Sequence, residues 1–221
     1  MRPYYEHAGI TIYHRDCRDV LPSVHGDATV TDPPYGIEFG YDSYGDTRDE
    51  WFDLMDASVP LMRASSMFVV MPACDRYSMA WWYERHPPDW VLCWYKGSPG
   101  HRSPVGFNDW EPILVWGRPP SPMHDYFQTP CGFDPNGHPC PKPIGWATWL
   151  VSRASIRGGT VLDPFMGSGT TLVAAKNLGR KAIGIEIEER YCEIAAKRLA
   201  QEQLPLDTAG RESRQSNEVG Q

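Results

Sequence analysis

The sequence predicts an α/β protein built on one doubly wound, mixed sheet with helices on both faces. Three observations carry that expectation. Strand-like and helix-like segments alternate along most of the chain. One buried strand is stopped by Asp32-Pro33-Pro34-Tyr35, and another runs through Asp163 into a glycine-rich turn that opens a helix. With 221 residues, 41% hydrophobic and 22% charged, the chain fits one domain, expected over 1–204, followed by a polar tail at 205–221 expected to be disordered.

The elements follow in chain order. Gly9–His14 alternates apolar and polar residues and reads as a short strand, Asp16–Leu21 as a short helix, and Ala28–Thr31 as a buried strand. That strand runs into two prolines, which can neither donate to a ladder nor sit inside a helix, so the chain must leave the sheet as a rigid loop. Thr47 and Glu50 are spaced as a capping box, and Trp51, Leu54, Met55, Val59 and Met62 recur behind it at helical spacing. Met67–Met71 reads as a strand, Tyr77–Glu84 as a helix, and Trp90–Tyr95 and Ile113–Trp116 as strands. Residues 97–106 read as a loop, and 117–145 are dense enough in proline and glycine to read as one long irregular excursion. Trp146–Ile156 then reads as a helix, Thr160–Leu162 as a strand, Thr170–Leu178 as a helix, Lys181–Ile187 as a strand and Glu189–Gln203 as a helix.

Charge narrows the function classes. The net charge is -7, with 4 Lys+Arg against 12 Asp+Glu in residues 1–60, 9 against 7 in 61–160, and 8 against 9 in 161–221. Affinity for a polyanion comes largely from Lys and Arg, so such a partner would have to meet the middle third. No apolar run approaches the roughly 20 residues that span a bilayer, and Met1–Ile10 lacks the basic start and apolar run of a signal peptide. A cytosolic protein without a membrane partner is expected. The six cysteines are scattered, so reduced thiols rather than a disulfide framework are expected.

The turn Asp163-Pro164-Phe165-Met166-Gly167-Ser168-Gly169-Thr170-Thr171 has the shape of a cofactor loop, because small residues let backbone amides approach a ligand at a helix N-terminus. It is neither a P-loop nor a G-x-G-x-x-G fingerprint. The next strand ends in Glu186, 23 residues after Asp163, where a ribose-binding carboxylate belongs in a doubly wound fold. An acid there would also suit the start of the following helix.

Asp32-Pro33-Pro34-Tyr35 and the glycine turn together resemble the S-adenosylmethionine-dependent DNA amino-methyltransferases, the adenine-N6/cytosine-N4 family. His138-Pro139 and Lys142-Pro143 resemble the segment that precedes the cofactor loop in that family. Catalytic motif first and cofactor loop last is the order of its circularly permuted beta class. The resemblance implies a Rossmann-like methyltransferase fold in which Gly9–Asp16 is the third strand of the cofactor half. It further implies that Gly167 and Gly169 admit the methionine part of the cofactor, beside Phe165, with Asp163 toward its amino group. Lys142 and Thr170 would address its carboxylate, Glu186 its ribose and Asp16 its adenine amine. Asp16 would equally serve as a helix N-cap.

The chemistry accounts for the catalytic motif. An exocyclic aromatic amine is a poor nucleophile because its lone pair is delocalised, so acceptors for both amine protons must stabilise it as it pyramidalises. Asp32 supplies a carboxylate, Pro33 a backbone carbonyl, Pro34 further rigidity, and Tyr35 a flat face for a base flipped out of double-stranded DNA. Direct displacement without a covalent enzyme intermediate is expected. Pro130-Cys131 and Pro139-Cys140 fall in the irregular segment, away from the strand end that a carbon-methylating cysteine would need. Cys131, His138, Cys140 and His124 match no zinc framework, so no metal is expected.

The first residue of the motif leans toward adenine N6. Cytosine N4, an RNA or protein amine, and a catalytically silent DNA-binding module are the alternatives. Residues 97–137 would hold the target-recognition region, with Lys96, His101, Arg102 and Arg118 as candidate DNA contacts, though single loop cations are also ordinary solvated charges. That region is short, which suggests a short target site or help from a second copy in a homodimer. A solitary bacterial or phage enzyme, outside a restriction-modification pair, is the plainest context.

Overall fold

The computed structural model describes residues 1–72, 76–97, 102–103, 106–107, 109–122, 124–130 and 142–201. The tail expected to be disordered lies outside these residues. Strands β1 (Tyr5–His7) and β2 (Ile10–His14) are followed by α1 (Cys17–Val20), β3 (Gly26–Val30), α2 (Arg48–Ser65), β4 (Ser66–Pro72), α3 (Arg76–Arg85) and β5 (Trp90–Tyr95). Then come β6 (Arg102–Ser103), β7 (Gly106–Phe107), β8 (Trp110–Gly117), β9 (Tyr126–Gln128), α4 (Ile144–Ala154), β10 (Thr160–Asp163), α5 (Thr170–Asn177), β11 (Lys181–Glu186) and α6 (Glu189–Ala200).

Nine strands form one sheet in the order β1-β2-β11-β10-β3-β4-β8-β5-β9, and β6 and β7 pair separately. From β2 through β4 the neighbours are parallel, whereas β8 runs antiparallel to both β4 and β5. The early strand β2 lies against the last strand, Ile12 opposite Gly184. The two ends of the described chain therefore complete the same parallel half, as the permuted order requires.

Each face buries its own core. Strand β4 shows why: Phe68 and Val70 point into one cluster, Val69 and Met71 into the other, and all four are buried. Trp146, Leu150, Leu172, Ala195 and Leu199 of α4, α5 and α6 cover the first face. Cys17, Trp51, Met55, Val59, Met62 and Trp82 of α1, α2 and α3 cover the second. The capping box forms as expected: Glu50 N donates to Thr47 Oγ1 at 3.3 Å, and Thr47 N donates to Glu50 Oε2 at 3.1 Å. Among the described residues no helix is long and apolar enough to cross a membrane.

The structure corrects three expectations. The segment 117–145 is not wholly irregular, because Tyr126–Gln128 adds β9 in parallel to β5, and Phe127 stacks on Trp149 of α4 at 4.8 Å. Aromatic packing on an open sheet edge outweighs the flanking prolines there. The loop 97–106 contributes β6 and the start of β7. Strand β8 is longer than Ile113–Trp116, and it accommodates Pro112 opposite Cys93 because its other neighbour β4 ends at Pro72, opposite Ile113.

Candidate active site

The carboxyl ends of β2, β11, β10 and β3 share one edge of the sheet. Between β10 and β3 the chain reverses its direction of winding, the switch point where α/β sheets form ligand crevices. A cavity of about 650 Å³ opens there. Its lining includes Asp16, Asp32, Pro33, Pro34, Tyr35, Lys142, Asp163, Phe165, Gly167, Thr170 and Glu186. Residues 147 positions apart in sequence or more, such as Asp16 and Asp163, thus face one space. The volume lies within the usual range of ligand pockets, about 300–1,000 Å³.

One end of the cavity is the proline loop. The Trp51 indole donates to the Pro34 carbonyl at 2.7 Å, pinning the loop to α2. The Tyr35 hydroxyl donates to Asp32 Oδ1 at 2.5 Å and accepts from Lys142 Nζ at 2.6 Å. Lys142 Nζ also lies 3.4 Å from Asp32 Oδ1 and 3.5 Å from Glu111 Oε2. Burial pushes the Asp32 carboxyl above the ordinary carboxylate range, while Lys142 and the Tyr35 hydroxyl pull it back. Lys142 therefore contacts the proline loop, and it also lines the cavity that the glycine turn borders.

The other end is the glycine turn, and the two ends are tied directly. The Thr31 hydroxyl, one residue before the proline loop, donates to Asp163 Oδ1 at 2.6 Å. Burial pushes Asp163 up to about 7, against hydrogen bonds from Thr31, Thr171 and the Phe165 amide. Gly167 has φ +49°, and a Cβ there would meet nothing within 4 Å, so its missing side chain leaves open cavity. Gly169 is different: it caps α5 at φ +81°, and a Cβ would lie 2.8 Å from Ala195 Cβ. Close packing on α6 is thus one need for glycine at this position. Arg198 of α6 donates to the Ser168 carbonyl at 2.6 Å and to Thr170 Oγ1 at 3.3 Å, bracing the turn from behind.

Glu186 accepts from Gly167 N and from Glu188 N, each at 2.9 Å, and burial pushes it up to about 6. Asp16 is the N-cap of α1, accepting from Arg18 N at 2.9 Å, and its carboxylate also pairs with the Arg18 side chain. Phe165 lines the cavity and packs on the second core cluster.

A loop over the cavity was not legible in the sequence. Residues 36–46 fold around Asp46, fully buried, whose carboxylate accepts from Gly36 N at 2.7 Å, Ile37 N at 3.2 Å and Phe39 N at 3.1 Å. Glu188 accepts from Asp42 N at 2.7 Å and ties the same loop to the end of β11. Phe39, Tyr41 and Tyr44 thereby line the cavity. An aspartate before a capping threonine reads only as a turn residue; its three amide partners appear only once the loop is folded.

The candidate DNA contacts fare unevenly. Lys96 is buried and ion-paired with Glu111 at 3.1 Å, so it is not a surface cation. Arg118 is exposed but follows the carboxyl end of β8, and Gly117 lies opposite Phe68 near the start of β4. Because β8 runs antiparallel, Arg118 lies at the edge opposite the cavity. Arg102 lies in β6, between the cavity-side ends of β5 and β8, and His101 lies outside the described residues. Of the cysteines, burial pushes Cys17 and Cys192 up to about 12, which leaves no thiolate at neutral pH. Cys131 and Cys140, with His138, lie outside the described residues.

A family model described as DNA methylase, of the N6/N4 class, matches residues 81–197. The Escherichia coli protein YubD, described as a methylase, is 32% identical over 202 residues, which cover 84% of this chain and 88% of that protein. The chain belongs to the N6/N4 DNA methylase family. Two solved structures share the fold of this methylase. The PvuII DNA methyltransferase, described as cytosine-N4-specific, superimposes with a TM-score of 0.70 at 16% identity, over 91% of this chain and 90% of that one. The structure described as an M1.HpyAVI-SAM complex gives a TM-score of 0.64 at 26% identity, over 87% of this chain and all of that one.

Proposed function

We propose that this methylase transfers the methyl group of S-adenosylmethionine to the exocyclic N6 amine of an adenine flipped out of double-stranded DNA. The observation that carries this reading is the joining of the two motifs in one cavity: the Thr31–Asp163 hydrogen bond holds the strand end bearing Asp32 against the strand end bearing the glycine turn. The residues fit that cofactor, because Gly167 leaves open space and Glu186 presents a carboxylate into the same cavity. When bound, the cofactor supplies an electrophilic sulfonium methyl group.

The residues divide the work. Glu186 accepts hydrogen bonds from the ribose hydroxyls, Asp16 from the adenine amine and Asp163 from the methionine amino group, while Thr170 addresses the carboxylate. Gly167 and Phe165 shape the wall. At the other end, Asp32 and the Pro33 carbonyl accept the two protons of the target amine, and the ring of Tyr35 stacks on the flipped base. Pro33 and Pro34 hold these acceptors in place before the substrate arrives, which is where electrostatic stabilisation is greatest. Residues 1–204 act as one catalytic unit, and the β6–β7 segment, on the cavity side, supplies recognition contacts, supplemented by a second copy of the chain.

The aspartate that opens the proline loop favours adenine. Cytosine N4 is the second reading, favoured by the similarity to the cytosine-N4-specific PvuII enzyme. Both follow from the same acceptors, and they differ in the pocket for the ring. Unmethylated genomic DNA, incubated with the protein and isotope-labelled S-adenosylmethionine and digested to nucleosides, is expected to yield labelled N6-methyladenine by mass spectrometry. Labelled N4-methylcytosine instead would overturn the choice of base and leave the acceptor chemistry standing.

A further inference from the structure

Behind the proline loop four charged groups alternate in sign. Lys96 Nζ lies 3.1 Å from Glu111 Oε1, Glu111 Oε2 lies 3.5 Å from Lys142 Nζ, and Lys142 Nζ lies 3.4 Å from Asp32 Oδ1. The side chains of Lys142, Lys96 and Glu111 are 5%, 11% and 13% exposed, so water does little to screen them. They come from separate places in the sequence: after β5, at the start of β8 and just before α4. The rings of Tyr35 and Trp94 flank the Lys142 ammonium at 5.0 and 5.4 Å.

We propose that Glu111 is a positioning residue for methyl transfer: it holds the Lys142 ammonium against Tyr35 and Asp32 while cancelling that ammonium's charge beside the target amine. The inference rests on Asp32 being the amine acceptor. As the methyl group moves, positive charge develops on the amine nitrogen, and an unbalanced cation just behind its acceptor would oppose that change. With Glu111 in place the four groups sum to zero; without it they sum to one positive charge. Burial alone would push Glu111 up, but Lys142 and Lys96 outweigh it and hold the carboxyl below its ordinary value, so the negative charge is present at neutral pH.

Removing Glu111 should therefore also change how Asp32 titrates. The groups that face Asp32 are Tyr35 on its own loop, Lys142, Glu111 on β8, Asp163 at the end of β10 and Tyr41 on the loop over the cavity. Of these, Glu111 raises the Asp32 value and Lys142 lowers it. Loss of Glu111 removes one of the influences that raise Asp32 and leaves the pull of Lys142 in place.

The test uses Glu111→Gln in the full chain. Asp32 is followed by carbon-13 NMR of carboxyl-labelled aspartate in the absence of cofactor and DNA, its resonance assigned by its loss in Asp32→Asn. The Asp32 midpoint is expected to move to lower pH. Single-turnover methyl transfer is expected to slow about tenfold or more, with cofactor affinity unchanged within about twofold and partial recovery in Glu111→Asp. An unmoved midpoint with an unchanged rate, or a defect confined to cofactor affinity, would overturn the proposal. If Glu111→Gln does not fold, Lys96→Met serves: it leaves one excess negative charge, so the Asp32 midpoint should move to higher pH, and no movement would again count against the network. Because the midpoint is read without DNA, a protein that labels no DNA would defeat the functional reading while the NMR still decides whether Glu111 sets the charge state of Asp32.

Discussion

Asp32→Asn should lower the rate of methyl transfer about a thousandfold, the upper end of what loss of one preorganised hydrogen-bonding group costs. The amide is nearly isosteric with the carboxylate, so the proline loop, pinned by Trp51 to Pro34, should keep its shape. What changes is the chemistry at the tip. A carboxylate only accepts hydrogen bonds, whereas the amide turns an NH₂ toward a target amine that is itself a donor. The variant also removes the negative end of the Lys142–Asp32 pair, leaving positive charge where positive charge must develop. Cofactor affinity, set at the glycine turn, should stay within about threefold of the wild type. Rapid-quench assays with saturating cofactor, together with calorimetric cofactor titrations, check this. A variant within tenfold of the wild-type rate would remove Asp32 from the chemistry.

Glu186→Gln should weaken cofactor affinity about 10- to 100-fold, the range expected when a charged acceptor becomes neutral. Its amide oxygen can still accept from Gly167 N, so the turn stays closed, but only the carboxylate can accept from both ribose hydroxyls. The same residue sets a pH dependence whose sign follows from burial. Because Glu186 is pushed up to about 6, it is ionised above that pH and gains a proton as the pH falls through it. Affinity of the wild type should therefore weaken as the pH falls from about 7 to about 5, and Glu186→Gln should flatten that part of the profile. Isothermal titration at pH 5, 6, 7 and 8 tests both statements; a profile equally steep in the variant would assign the titration to another group.

The parts of the molecule that could be read from the sequence are those that local chemistry dictates. Two consecutive prolines must end β3, and glycines between β10 and α5 must form a tight turn, so both loops and their strands were legible. Glu186 was legible because strand and helix lengths fix its distance from Asp163. Contacts that depend on strand order were not. Nothing local indicates that the Thr31 hydroxyl reaches Asp163, or that Glu111 lies beside Lys142. Lys96 and Arg118 both looked like loop cations, yet one is buried in an ion pair and the other lies at the far edge of the sheet. The cause is the antiparallel run of β8, which places its first residues beside the cavity and its last residues away from it. Three residues of β9 among prolines carry too little periodicity to mark a strand, and they form one because β5 offers an open edge and Trp149 a ring to stack on.

The most direct test of a shared cavity for cofactor and target amine is a crystal structure of the protein with S-adenosylhomocysteine. The ribose hydroxyls are expected on Glu186 and the amino acid part along Gly167, with the sulfur facing Asp32 and the Pro33 carbonyl across the space a target base would occupy. A ligand bound elsewhere, or one in the glycine turn with its sulfur pointing away from Asp32, would contradict the assignment of the proline loop to methyl transfer.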